Sequence, residues 1–147
     1  MRVSAVLTRK RAEVVWVAPS VTMREAIGLM RQRHVGSVMV LEEGDRLLGV
    51  LSERDVVHAF ASGAANLLDR PVIDFARKSG PTAAPDDSVQ SVMELMTATR
   101  ARHVPILQYG RVIGIVSIGD VVKSCLSDKI QENAVLQEIA RAQYFAS

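Results

Sequence analysis

The sequence predicts an α+β fold with α/β-like alternation: two pseudo-symmetric repeats, each strand–helix–strand–strand–helix, and an extended C-terminal helix. Three observations predict it. The segment Gly49-Val50-Leu51-Ser52-Glu53-Arg54-Asp55 recurs as Gly114-Ile115-Val116-Ser117-Ile118-Gly119-Asp120, 65 positions later. Earlier landmarks recur as well: Pro19 and Pro85, Thr22 and Ser88, Met30 and Met96, and Val40-Leu41 and Ile106-Leu107 are each 66 apart. In both halves a helical apolar stripe precedes two short β-type runs. Residues 1–66 read as the first repeat with an N-terminal helical segment, 67–126 as the second, and 127–147 as a C-terminal helical extension.

The elements follow in order. Val3, Val6 and Leu7 give a short helical pattern. Val14-Val15-Trp16-Val17 is a brief strand that Pro19 stops. Thr22 and Glu25 form a capping box for a helix whose stripe is Met23, Ala26, Ile27 and Met30, with Gly36 as its exit. Ser37–Leu41 and Leu47–Leu51 make a hairpin around Gly44. Ser52 ends the second strand and opens a helix to about Ala61, closed by Gly63. Pro71 starts a short segment with Val72, Ile73 and Phe75. Thr82-Ala83-Ala84 is a weak strand. Ser88 caps a helix carrying Val89, Val92, Met93 and Met96. Val104–Leu107 and Val112–Val116 form the second hairpin, and Ser117 opens the last helix. No Gly or Pro occurs from Asp120 to Ser147, so that helix runs on. Its apolar side (Val122, Leu126, Ile130, Leu136, Ile139) is interrupted by Asn133 and Gln137, which breaks a strict heptad. Packing on a second copy explains so long a tail.

Composition excludes several classes. At 147 residues the chain buries a core without staples, and 48% apolar residues rule out disorder. Eighteen basic and 16 acidic residues are too balanced to predict nucleic-acid or membrane binding. The single cysteine, Cys125, reads as a small semi-buried helical residue. Arg9-Lys10-Arg11 reads as a solvated turn. With no membrane-length apolar run and no signal-type h-region, a cytoplasmic protein is expected. His34, His58 and His103 are scattered, there is no phosphate loop, and no G-x-S-x-G occurs; no catalytic set or metal spacing is visible, and an enzyme is not expected.

The two G-h-h-S-x-x-D segments (h apolar), the repeat order and Arg102-His103-Val104-Pro105 before a strand resemble the tandem CBS-domain pair, or Bateman module, in its small stand-alone bacterial form. The resemblance covers about residues 3–126. It implies a cleft between the halves that holds adenine nucleotides as regulatory ligands, with no required cofactor. AMP, ADP or ATP come first, then NAD(H) or S-adenosylmethionine. It implies that Asp55 and Asp120 hold ribose hydroxyls and that Ser52 and Ser117 lie near ribose or phosphate. Arg102 and His103 would contact phosphate, with Arg54 and Arg100 as further cations. Val38-Met39 and Val104-Pro105 would sandwich the base, and Thr82 would lie near it. A homodimer with an unidentified protein target is the expected assembly.

The chemistry agrees with these roles. A carboxylate accepts from two vicinal hydroxyls, and a helix start offers N–H groups to phosphate. Ser-x-x-Asp is equally a capping box, which explains both residues without a ligand. The second half has the cations and Thr82, so the Ser117/Asp120 site is expected to be the better one. The first half has Gly36-Ser37 in place of the cations. It also has Trp16 in place of Thr82, a ring able to stack on a base but more commonly buried in a core.

Overall fold

The computed structural model describes residues 1–10 and 14–146. Helix α1 (Val3–Lys10) leads to β1 (Trp16–Val17), α2 (Met23–Arg33), β2 (Ser37–Glu42), β3 (Arg46–Ser52) and α3 (Glu53–Ala61). Two single 3₁₀ turns, Leu67–Asp69 and Val72–Asp74, make the connection. Then come α4 (Val89–Thr99), β4 (His103–Gln108), β5 (Arg111–Ser117) and α5 (Ile118–Ala146). No described helix is long and apolar enough to cross a membrane.

The first half holds a three-stranded sheet, with β1 parallel to β2 and β2 antiparallel to β3. The second half has β4 and β5 antiparallel, and the weak strand at Thr82–Ala84 reduces to one parallel bridge from Ala83 to Ile106. Both hairpins slip register at the same place, between Val40 and Leu41 and between Ile106 and Leu107. The duplication therefore extends to a β-bulge. Beyond it, the hairpin turn is one residue longer in the first half, which accounts for the change of offset from 66 to 65.

Local expectations hold with corrections. Thr22 and Ser88 cap α2 and α4 through the backbone N–H groups of Glu25 and Ser91. Glu25 is exposed, and no bond from its carboxylate back to Thr22 occurs among the described residues, so this cap is one-sided. The exit of α2 is His34, in the left-handed region at φ 54°, rather than Gly36. Trp16 is not a core residue: half its surface is exposed, because the two-residue β1 turns Val17 inward and Trp16 out. Cys125 is exposed, its Sγ 3.8 Å from the Met93 Sδ.

Strand alternation builds three cores. Val38, Val40 and Leu51 join Met23, Ala26 and Met30 in the first half. Val104, Ile106 and Val116 join Val92 and Met96 in the second. The opposite faces, through Met39, Leu41, Val50, Leu107, Val112 and Ile115, pack the two halves together.

At the joins, packing departs from chain order. Helix α1 completes the core of the second half with Val3 and Val6, and Leu67, Val72 and Ala76 complete that of the first. Each lead-in crosses a motif glycine. Arg77 exchanges both backbone hydrogen bonds with Val50, at 3.0 and 2.9 Å, beside Gly49. Leu7 lies over Gly114. A Cβ at Gly49 would stand 3.0 Å from the Arg77 carbonyl oxygen and 3.2 Å from the Ala76 Cβ; one at Gly114 would stand 2.7 Å from the Leu7 Cδ2. Backbone yields less than a leucine tip. Gly49→Ala should therefore cost about 1–3 kcal/mol in urea unfolding, and Gly114→Ala less despite its shorter contact. The reverse order would show that the lead-ins are not the constraint.

Candidate functional site

The site grows from the end of β3. Ser52 leaves the strand in extended conformation and caps α3, which makes the capping box complete. Its Oγ accepts from the Asp55 N–H at 3.3 Å, while the Asp55 Oδ2 accepts from the Ser52 N–H and Oγ–H, both at 2.8 Å. The capping expectation is thus met here. It occupies one carboxylate oxygen, and no bond involves Oδ1 among the described residues.

A cavity of about 840 Å³ opens over this helix start. That lies within the range of about 300–1,000 Å³ common for small-molecule sites. Its walls come from both halves. The first supplies Gly36, Val50, Ser52, Glu53, Arg54, Asp55 and His58; the connection and the second half supply Arg77, Gly80, Pro81, Thr99–His103 and Pro105. The guanidinium groups of Arg54, Arg77, Arg100 and Arg102 make no ion pair among the described residues, against two lining carboxylates. The cavity is therefore cationic, and low-dielectric walls intensify its field.

The expected pairing of cations and motifs is corrected. Arg102 and His103, assigned from the sequence to Ser117/Asp120, line the cavity of Ser52/Asp55. The reason is the twofold arrangement: the start of β4 faces the motif of the other half. Thr82 is exposed and does not line this cavity; its neighbours Gly80 and Pro81 do. Of the residues proposed to sandwich a base, only Pro105 reaches the wall. Val38 and Val104 are fully buried in their own half cores and Met39 between the sheets, as strand alternation requires.

The second motif differs at its carboxylate. The Asp120 Oδ2 accepts from the Ser117 N–H at 2.9 Å and from the Lys10 ammonium at 2.8 Å; Lys10 also donates to the Ile115 carbonyl at 2.9 Å. Lys10 is thus a half-buried partner of Asp120 and not part of a solvated turn, while Arg11 lies outside the described residues. Burial alone pushes the Asp120 carboxyl up. The Lys10 bond, the Ser117 donors and the Lys10 charge outweigh it, so the group lies below its ordinary value. His103 lies between the motifs. Burial and then the Lys10 charge hold its imidazole below 6.5, with Arg102 adding to them and Asp120 and Glu53 opposing.

Sequence reasoning missed several wall residues. His58 follows Asp55 by one helical turn, a spacing that already places both on one face. Arg77 stands at the position Arg11 holds in the first half, 66 residues earlier. Glu53 and Thr99 carried no signal apart from their neighbours.

The CBS domain model matches the chain twice, at residues 3–62 and 67–127. The chain belongs to the CBS-domain family. Among curated proteins it is 29% identical over 133 residues to a CBS domain-containing protein of Bacillus subtilis, covering 90% of this chain and 93% of that one. A CBS-domain containing protein from Agrobacterium tumefaciens is 38% identical, with a TM-score of 0.79 over 84% of this chain and 98% of that chain. A CBS domain protein from Pyrobaculum aerophilum, solved with AMP, is 28% identical, with a TM-score of 0.73 over 82% and 89%. The CBS pair and the two repeats that the sequence predicted are thereby shown.

The lowered His103 and Asp120 groups set a pH dependence. The unfolded chain takes up the His103 proton more readily than the folded one, so this contribution is complete above pH 6.5 and is lost as pH falls below it. Asp120 adds a second loss below its ordinary value of 3.8. Melting temperatures from pH 8 to pH 5 should fall more steeply below 6.5 for the native chain than for His103→Gln; parallel profiles would reject the assignment to His103.

Proposed function

We propose that this chain is a regulatory module that binds an adenine nucleotide between its CBS repeats, at the Ser52/Asp55 motif. AMP, ADP and ATP are the first candidates, NAD(H) and S-adenosylmethionine the next. The observation that carries the reading is the cationic cavity over the α3 start, with one Asp55 oxygen uncommitted. The Pyrobaculum relative solved with AMP supports the ligand class. Phosphate meets Arg54, Arg77, Arg100, Arg102 and the helix start; ribose hydroxyls donate to Asp55; Pro105 and Pro81 offer apolar surface to the base. Both halves wall the cavity, so a ligand that fits one relative angle of the halves better shifts the pair toward it. Neither the motif nor the cavity requires catalysis.

A second reading is a ligand-free interaction module. The complete Ser52–Asp55 capping box favours it, because it gives both side chains a structural role without a nucleotide. One variant separates the two. Asp55→Asn should cost about 1 kcal/mol of stability as a weakened cap in either case. It should also weaken AMP binding by about 10–100-fold, the equivalent of a charge-assisted hydrogen bond of about 1.5–3 kcal/mol. Calorimetric titration reads the second effect. Flat heats and an unmoved melting temperature with millimolar AMP, ADP and ATP would leave only the interaction module.

The assembly proposed for this function is a homodimer. Val57 and Phe60 on α3, and Val122, Leu126 and Ile130 on α5, are large apolar side chains more than half exposed. A second copy of the same chain covers them economically. Light scattering should give twice the monomer mass at micromolar concentration; a monomer would reject the arrangement.

A further inference from the structure

The Lys10–Asp120 contact differs from every other ion pair of the described residues. Its side chains are 25% and 22% exposed, whereas both partners of every other pair are at least 38% exposed. The lysine is also delivered by a fixed element. Val3 and Val6 of α1 are buried in the second-half core, the Val3 and Ser4 N–H groups donate to the Asp87 and Pro85 carbonyls at 2.9 and 3.0 Å, and Leu7 lies over Gly114. At the end of this helix the ammonium bonds Ile115 and Asp120. These are the counterparts of Val50 and Asp55, 65 positions earlier, and both of those line the cavity of the first motif. In the second motif the place of the open cavity therefore holds the chain's own cation.

We infer that Lys10 is a built-in stopper of the second motif, so that each chain takes one nucleotide, at Ser52/Asp55, and takes a second only when Lys10 leaves Asp120. The inference rests on the nucleotide reading above. A tethered ammonium competes at high effective concentration with any free ligand. Ribose hydroxyls offer Asp120 neutral donors in place of a charged one, and charged donors bind a carboxylate more strongly. Gly36-Ser37, the first-half counterpart of Arg102-His103, also carries no cation. Ligand alone does not recover the difference.

Equilibrium dialysis with labelled AMP tests this by stoichiometry. The native chain should bind one AMP, Lys10→Met two with the second weaker, and Lys10→Met/Asp120→Asn one again. Asp55→Asn should weaken the single site of the native chain by about 10–100-fold, and combined with Lys10→Met it should leave the second site at its own affinity. Thermal melts accompany each variant. If Lys10→Met does not melt cooperatively, Lys10→Gln, which keeps donors without the charge, replaces it with the same expected count. Two sites in the native chain, or one site in every folded Lys10 variant, overturn the stopper and leave the nucleotide reading intact. No binding by any variant overturns both.

Discussion

The structure depends on two close approaches at glycine. Gly49 and Gly114 sit just after matching β-bulges, and at each a lead-in segment lies where a side chain would project. The exchange is reciprocal: the segment before the first repeat finishes the second core, and the segment before the second repeat finishes the first. A unit of about 60 residues buries too little surface to be more than marginal alone. Here neither repeat has a complete core without the chain that leads into the other. The motif glycine therefore serves the joining of the halves first, and that joining creates a cleft.

Strand alternation then decides what the cleft contains. Along β2 and β4, Val38, Val40, Val104 and Ile106 face their own helices, while Met39, Leu41 and Leu107 face the opposite sheet. Apart from Pro105 and Val50, which also line the cavity, these mid-strand side chains are committed to one core or another. What remains for a ligand is the strand ends, the helix starts and the loops that approach them, which is where Ser52, Asp55, Gly80 and Arg102 lie. Such positions carry charge at low cost because they are not needed for packing. The buried valines marked by the family resemblance belong to the scaffold.

Most of the fold was legible in the sequence because each of its signals is local. A capping serine, a turn glycine and an apolar stripe act within a few residues, and the duplication let each half check the other. The site was legible only in part. Ser52 and Asp55 were found because they lie within one motif. Their pairing with Arg102 and His103 was missed because it depends on how two halves face each other, which no local pattern records. Lys10 was read as a solvated charge because its partner Asp120 is 110 residues away. His34 was overlooked as a helix exit because a histidine in the left-handed region competes poorly, as a signal, with a glycine two residues later.

The two motifs share a sequence and differ in electrostatic state. Asp120 has been given a cation by the chain itself; against its burial, the Lys10 bond and charge and the Ser117 donors hold its carboxyl below the ordinary value. The first motif has the opposite imbalance: four guanidinium groups line one cavity, with Glu53 and Asp55 the only carboxylates in its wall among the described residues. Like charges brought together without partners repel, and the fold holds them there through the packing described above. An anion entering the cavity relieves that repulsion, so part of its binding energy is already present in the empty protein. A capping box alone would leave this accumulation of charge without a reason. The anionic ligand proposed above, shared between the halves, would supply one.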